Sequence, residues 1–579
     1  MWRGSPAGVA ILLVLAVLAG VAQGQEEPVR VLVMFDLGGG FVYWEEIALD
    51  ENRTGIKATE DAAGAADLSI EVSWSEFGAF VADIGDRDPV FPEYFHLLLW
   101  NDSAQDWGLS PVGASALTLQ PGDTIGWFLS ADDPNWDFVS PWPGPTPLAT
   151  PTHPYPMVAF RGNLANTGAT GSVVPKTPEL RWQFDTGGGE IGASPVGAAG
   201  TLYQVTLFNG TYALDLETGA QRWRQEGVSG LSTPALYREA GFVTVPSLGT
   251  QSRPADLVVG SRDGALYRLD GGSGSVVWRS PLLEEPSFTG IASSPKVSKG
   301  RAFVGLFNET GGPGALVAMD LADGTIAWRH NTSSIHMSSP AVHRGSVYVG
   351  LMGLFNASSL SWDPPYGLLK VSEENGTEEW LFPTSGPVAS SPVVSDAFGI
   401  YFTSRDGSFY GVSTSGALLE SGRIGPSTSS PAMTQDVLYA ASGVLGTEGN
   451  VTAQALGTDT TWQYSPNGPV QGSLTLASDV LLFATNTENG TLYALDASSG
   501  AVRWTYLPEP RQYILTTPVV IDGLVVLASD SGFIYALGPP ESPQFDVGLG
   551  VLAATIVIFA GIVVGVALLV RAWRRRTIR

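Results

Sequence analysis

The chain has 579 residues, of which 70 are glycine, 40 are proline and none is cysteine, and its formal net charge is −26. That length exceeds one ordinary domain, and so much glycine and proline suits turn-rich β structure better than helix bundles. Without cysteine, neither a disulfide nor a cysteine-linked lipid can stabilise or anchor the protein, and the acidic balance makes nucleic acid and anionic lipid poor partners.

Residues 1–24 combine Arg3, an apolar run from Val9 to Val21 and the small-residue end Ala22-Gln23-Gly24, the pattern of a secretory signal peptide. Residues 28–133 differ in texture from the rest of the chain. VRVLVMF (Val29–Phe35) reads as a strand, Ala58–Ala66 as a short helix, and FGAFVADIGD, YFHLLLWND (Tyr94–Asp102) and LTLQPGDTIGWFL as further strands, giving a small α+β domain. Trp100, Trp107 and Trp127 within it read as core packing before they read as a ligand face. The proline-rich stretch 134–159 cannot form a sheet interior and reads as a semi-rigid linker.

From 160 to 538 the chain rewrites one unit. Its clearest copy is NGTLYALDASSGAVRW (Asn489–Trp504), a hairpin with a tight Asn-Gly turn, a short apolar strand, an Asp-to-Gly turn and a strand ending in tryptophan. Upstream of each copy stands a small hydroxyl residue, mostly before proline, at Ser194, Thr233, Ser294, Ser339, Ser391, Ser430, Ser473 and Thr517. The steps between these marks are 39, 61, 45, 52, 39, 43 and 44 residues, the period of a four-stranded propeller blade. Eight marks predict an eight-bladed β-propeller. The last mark has no labelled final strand after it, whereas Glu179–Phe184, with Trp182, precedes the first, so this N-terminal strand is expected to close the ring.

Val547–Val570 is an uncharged run of 24 residues followed by Arg571, Arg574, Arg575, Arg576 and Arg579, which predicts one transmembrane helix with a cytoplasmic basic tail, 571–579. Setting aside Arg3 and those five arginines leaves 24 basic against 56 acidic residues, so the exported part carries about −32. Nine N-x-S/T sequons are glycosylation candidates: Asn52, Asn101, Asn209, Asn308, Asn331, Asn356, Asn375, Asn450 and Asn489. With the lack of disulfides they suggest an archaeal-type envelope protein.

Chemistry is harder to find. Gly187-Gly188-Gly189-Glu190-Ile191-Gly192 matches a dinucleotide fingerprint in letters, but another strand comes after it instead of a helix, so it reads as a loop. His330, His336 and His343 have no metal-ligand spacing and read as ordinary surface residues. Asp215, Asp270, Asp320 and Asp496 recur in the hairpin turns, where aspartate caps backbone amides.

The opening FRGNLANTG (Phe160–Gly168), the RW strand, the small-residue–proline marks and the YALDxxTGxxxW hairpins resemble the pyrroloquinoline-quinone-type propeller repeat. That resemblance covers both quinoprotein dehydrogenases and non-catalytic scaffolds such as the propeller lipoprotein of the bacterial outer-membrane assembly machine. For an enzyme it would imply a quinone on a tryptophan floor, a cap of adjacent cysteines, and calcium held by Glu, Asn and Asp. Through Tyr94–Asp102, Trp107, Gly113-Ala114-Ser115 and Leu119–Trp127, residues 28–133 resemble the small domain that closes over cobalamin in transcobalamin and intrinsic factor, without those carriers' larger helical half. The resulting expectation is a membrane-anchored cell-surface binding or scaffold protein, non-catalytic and without cofactor or metal, using a propeller face for a protein or glycan. The alternatives are a quinone-dependent oxidoreductase with calcium, or a surface receptor for cobalamin or another small ligand. Specificity would reside in the blade insertions Arg238–Asp256, Phe307–Pro313 and Leu351–Pro365.

Overall fold

A computed structural model of the protein describes residues 29–131 and 157–539 apart from short stretches, the longest being 86–92 and 238–254. The expected signal peptide, nearly all of the linker, most of the first insertion, the segment 547–570 and the tail 571–579 lie outside the described residues. No helix among the described residues is long and apolar enough to cross a membrane.

The first part of the chain forms β1 (Val29–Asp36), β2 (Val42–Leu49), α1 (Gly55–Ala65), β3 (Ile70–Ser75), β4 (Gly78–Ile84), β5 (Glu93–Asn101), β6 (Asp106–Leu109) and β7 (Thr124–Ala131). Five of these strands make one sheet in the order β2-β1-β7-β5-β6, with β1 and β7 parallel, and β3 pairs with β4. Val29, Val31, Val33 and Phe35 alternate along β1 onto a core shared with Ala58 and Ala62 of α1. The helix starts earlier than its apolar pattern suggests because Thr54 caps it, its side chain accepting the Lys57 N–H. Trp127 is buried and donates its indole N–H to Thr59 Oγ1 at 2.8 Å, while Trp107 packs edge-on against Phe128 and Trp100. Trp107 and Trp127 are core, as expected, and Trp100 is partly buried against them.

From 179 onward the chain is built of eight four-stranded antiparallel sheets. In chain order, sheets 1 to 8 span 196–225, 235–281, 296–332, 341–383, 393–423, 432–464, 475–506 and 519–538, the last completed from elsewhere. Sheet 4 also carries a small hairpin, Leu354–Asn356 with Ser361–Asp363, which forms much of the third insertion. The second and third strands of each sheet are apolar on both faces, as in Leu257, Val258 and Val259 or Leu492, Ala494 and Leu495, because neighbouring sheets cover both sides. The fourth strands read half exposed, as along Gln221–Gln225. Two strands before the first sheet are used elsewhere. β8 (Ala169–Thr170) adds a parallel edge to sheet 7, and β9 (Glu179–Asp185) is the missing fourth strand of sheet 8, running from Gly538 opposite Glu179 to Phe533 opposite Asp185. The chain therefore closes on itself, and the first strand of a conventional count is the last of the ring.

The hydroxyl marks explain how the sheets stay together. Each marked residue donates its backbone N–H to the marked hydroxyl of the next sheet: Ser194 to Thr233, Thr233 to Ser294, Ser294 to Ser339, Ser339 to Ser391, Ser391 to Ser430, Ser430 to Ser473, Ser473 to Thr517, and Thr517 back to Ser194, all at 2.8–3.2 Å. The circle has no gap. A second set of bonds lies at the rim. The indoles of Trp182, Trp223, Trp278, Trp328, Trp380 and Trp462 each donate to a turn carbonyl of the following sheet, at 2.9–3.0 Å. Trp504 would meet sheet 8, whose fourth strand arrives from the front of the chain, and it bonds Pro175 O on the approach to β9 instead. Each of the first six rings also lies on the glycine of the turn it meets. A Cβ at Gly219, where φ is +71°, would fall 2.6 Å from the Trp182 ring. Sheet 5, with Leu418 and Leu419 in place of tryptophan, lacks this contact.

Residues 157–170 run across the inner strands. Backbone bonds tie Met157 to Gly197, Leu164 O to Val342, Ala165 O to Val394, Thr167 O to Met433, Gly168 O to Leu476 and Thr170 O to Ser478. Arg161 donates to the carbonyls of Pro431 and Leu474, and Lys296 Nζ reaches Phe160 O and Asn163 O at 2.7 Å. Residues 157–170, with FRGNLANTG at their centre, are therefore a plug touching the first strands of sheets 1, 3, 4, 5, 6 and 7. Gly168 is required here, since a Cβ would overlap the Arg161 guanidinium.

Replacing a ring hydroxyl leaves the preceding sheet's N–H buried without an acceptor. Ser391→Ala is expected to cost about 1–3 kcal/mol by stranding the Ser339 N–H, whereas Ser391→Thr, the residue already used at positions 233 and 517, should cost less. Chemical denaturation of the two variants checks this.

Candidate functional site

Strands alternate in direction within each sheet, so the turns between second and third strands share one end of the ring with the connections that lead into the next sheet. These segments vary in length, and Arg262, Ser334, Asn486 and Asp530, each with a buried polar atom that lacks a partner, lie there. On sheets 7 and 8 and the approach to sheet 1 stand Asn486, Asp530 and Glu190. Asp530 follows the strand Leu524–Ala528, its N–H held by Tyr513 O, and its Oδ1 is buried with no hydrogen-bond partner. Burial, reinforced by the charge of Glu190, pushes its carboxyl up to about 7. Asn486 is 6% exposed, donates Nδ2 to Gln471 Oε1 at 2.6 Å, and leaves Oδ1 buried and unpartnered. A carboxylate that exchanges its proton near neutrality, beside a second acid, is the equipment of a general base.

Further round the same end, on the connections of sheets 1 to 4, aromatic rings gather. The Arg262 guanidinium lies 4.9 Å from the Phe208 ring and 5.7 Å from that of Phe288, with its Nε buried and unpartnered. Thr289 Oγ1 meets His336 Nε2 at 3.2 Å, and the His336 ring packs 4.6 Å from Phe307, which also touches Trp362 and Phe355 of the inserted hairpin. Burial drives the His336 imidazole down to about 4, so it is neutral at physiological pH.

The structure corrects the histidine reading. His343 is buried and His336 is packed among aromatic rings, so neither is an ordinary surface group, while His330 lies 3.5 Å from Glu378. No group of three His, Cys, Asp or Glu suited to a metal ion occurs among the described residues. The glycine-rich stretch 187–192 is the loop between β9 and the first strand of sheet 1, as expected. Asp215, Asp270, Asp320 and Asp496 cap the amides of Thr218, Ser273, Ala322 and Ser499, again as expected. Among the sequons, Asn52, Asn331, Asn375 and Asn489 are exposed, whereas the Asn209 amide bonds Thr186 O and Gly187 O. Asn52 precedes α1, Asn101 ends β5, and Asn308, Asn356 and Asn450 lie on sheets 3, 4 and 6.

Sequence reasoning missed Asp530, Asn486 and Arg262, although a signal existed. Ser529-Asp530-Ser531-Gly532 occupies the same turn as Ser261-Arg262-Asp263-Gly264 and Ser404-Arg405-Asp406-Gly407. In those two turns the third residue caps the next strand, Asp263 bonding Ala265 N–H and Asp406 bonding Ser408 N–H. Sheet 8 alone of the three carries an acid where the others carry arginine.

The quinone and calcium implied by the resemblance fit these groups in kind. The unpartnered buried oxygen of Asn486 is the hard acceptor a divalent oxygen-loving cation takes, and the orphaned Arg262 Nε suits a carboxylate. The chain has no cysteine for a cap, and the repeated tryptophans are committed to the rim.

Comparison with known proteins agrees with this fold. Residues 168–252 and 447–539 match a family described as outer membrane protein assembly factor BamB. A polyvinylalcohol dehydrogenase of Pseudomonas sp is 26% identical over 232 residues, 37% of this chain and 34% of that protein. The quinohemoprotein alcohol dehydrogenase ADH IIB of Pseudomonas putida is 25% identical over 211 residues, 34% of this chain and 30% of that protein. The chain thus spans about a third of the length of these curated relatives. The crystal structure of the quinohemoprotein alcohol dehydrogenase from Comamonas testosteroni superposes with a TM-score of 0.53 at 15% identity, covering 67% of this chain and 82% of that one, a likeness of fold. The repeat is of the pyrroloquinoline-quinone type and the architecture is mainly β and propeller-like. The similarity to proteins named as dehydrogenases overturns two expectations: that the ring is a non-catalytic binding scaffold, and that it holds no cofactor.

The proton of Asp530 has a consequence for stability. The folded value of about 7 exceeds the ordinary 3.8, so the folded state binds the proton more tightly than the unfolded chain. The stabilising difference is intact at low pH and is lost as pH rises from about 4 through about 7. Asp530→Asn should therefore melt above the parent at pH 8, with the gap shrinking towards pH 4, as followed by thermal scans across that range.

Proposed function

We propose that the protein is an oxidoreductase of the quinone-dependent alcohol dehydrogenase class, with its chemistry on the connection end of the ring and Asp530 as the proton-accepting carboxylate. The observation that carries this reading is the half-buried Asp530, with a free Oδ1 and a near-neutral carboxyl, on a fold whose relatives are named as alcohol dehydrogenases. Asn486 Oδ1 and the Glu190 carboxylate would hold the cation, and Arg262 would face a carboxylate of the quinone. When bound, the quinone supplies the two-electron acceptor. Asp530 takes the hydroxyl proton of the substrate at its Oδ1, and the aromatic surface formed by Phe208, Phe288 and Phe307 shields the approach from water.

On the same reading the eight sheets are the eight blades of a propeller, and residues 28–133 are a separate module similar to the small domain of cobalamin carriers. Residues 547–570 cross the membrane once, holding the ring outside the cell with tail 571–579 in the cytoplasm. The exposed sequons bear glycans, and the acidic exterior keeps nucleic acid away.

The test is reconstitution. Full-length protein given pyrroloquinoline quinone and calcium should reduce an artificial electron acceptor when supplied with a primary alcohol, with a rate that rises as pH passes about 7. Asp530→Asn should lower that rate at least about 100-fold while still binding the quinone. If the quinone neither raises the melting temperature nor supports dye reduction, the reading fails.

A further inference from the structure

Two cations sit inside the ring with no acid beside them. Arg161 is 4% exposed and Lys296 is 1% exposed, and every hydrogen-bond acceptor of either is a backbone carbonyl: Pro431 and Leu474 for the first, Phe160 and Asn163 for the second. Burying like charges together without a counter-charge is unfavourable unless an anion joins them. Burial alone lowers the Arg161 guanidinium to about 9, and burial with the Arg161 charge lowers Lys296 to about 7, with no carboxylate acting on either.

Beside Arg161 the plug and the inner strands leave a small cavity, lined by Gly168, Ser194, Thr475 and Thr517 among others. Arg161 Nε is buried and lacks a partner. Ser194 Oγ and Thr517 Oγ1 each accept an N–H within the hydroxyl ring, and neither O–H meets an acceptor among the described residues. Arg161, Ser194 and Thr517 therefore line one space, and each brings a donor that meets no acceptor among the described residues. Thr475 is already committed, donating to Pro518 O. The space has room for about one small group, too little for a nucleotide or a quinone.

We infer that this axial cavity is a binding site for a single small monovalent anion, a halide, held by Arg161 Nε and the hydroxyls of Ser194 and Thr517. The anion supplies the missing counter-charge for the plug and fastens residues 157–170 to sheets 1, 7 and 8 at the point where the ring closes. It is independent of any chemistry on the connection end.

The experiment compares full-length protein in sodium bromide and in sodium gluconate at equal ionic strength, gluconate being too large to enter. Bromide should raise the melting temperature by about 1–3 °C, and crystals grown in bromide should show one anomalous peak in contact with Arg161 Nε. Lys296→Met, which removes one of the two charges, should at least halve the bromide shift. A cavity filled by water without an anomalous peak, or equal melting in the two salts, overturns the inference. Should the variant not fold, the bromide peak in the parent protein still decides between anion and water.

Discussion

The closed circle of backbone-to-hydroxyl bonds is the constraint on which the architecture rests. Sheets that stack like these could splay, because each touches only its neighbours. The bond from Ser194 to Thr233, repeated until Thr517 returns to Ser194, fixes the spacing at the narrowest radius, where the inner strands leave least room for error. A serine or threonine is needed because its oxygen can accept from the neighbouring amide while its own backbone N–H is given onward. The proline after most of these marks has no N–H to leave unsatisfied and holds its own φ near −65°. At the outer radius the first six tryptophans do the corresponding work, each bonding one carbonyl and covering one glycine of the next sheet.

Closure follows from the same constraint. A ring that ended at Gly538 would expose the edge of its last sheet, and β9 removes that edge by pairing along the whole strand. The register includes one irregularity between Ala536 and Leu537, matching the bulge in the third-to-fourth strand pairs of the other sheets, such as that between Ala213 and Leu214. The borrowed strand is thus a faithful copy of the standard fourth strand. Its tryptophan, Trp182, bonds Leu216 O as the tryptophan of another sheet would bond its own neighbour. The departure lies one step back, where Trp504 finds Pro175 because sheet 8 has no continuous turn to offer.

The repeat was legible because its marks are forced by contacts made once per sheet, so that Ser391 or Trp328 recurs with the period of the fold. The plug was legible as a motif, FRGNLANTG, but not as a plug, because its partners are scattered from Gly197 to Ser478 and only the closed ring brings them together. In the leading domain the strands β2, β3 and β6 were missed. The His336 environment was missed for a similar reason, since Phe307 and Trp362 reach it from two sheets. Asp530 was hidden by its surroundings: Ser529 to Gly532 has turn chemistry, and an aspartate in a turn reads as a cap. Only its unpartnered oxygen separates it from Asp263 and Asp406, which do cap their strands.

That separation depends on rigidity. A carboxylate on a mobile turn would rotate into water and titrate normally. The turn carrying Asp530 is held from two sides: Gln512 accepts the Ser531 N–H at 3.0 Å while donating to Tyr535 Oη and Pro510 O, and Thr186 donates to Gly532 O at 2.8 Å. Tyr535 lies on the strand that β9 closes, and Thr186 directly follows β9. The groups that hold Asp530 out of solvent therefore belong to the closing pair of strands. The one sheet assembled from both ends of the ring is the sheet whose turn bears the perturbed acid, and the energy that keeps that acid from water is drawn from the closure of the ring.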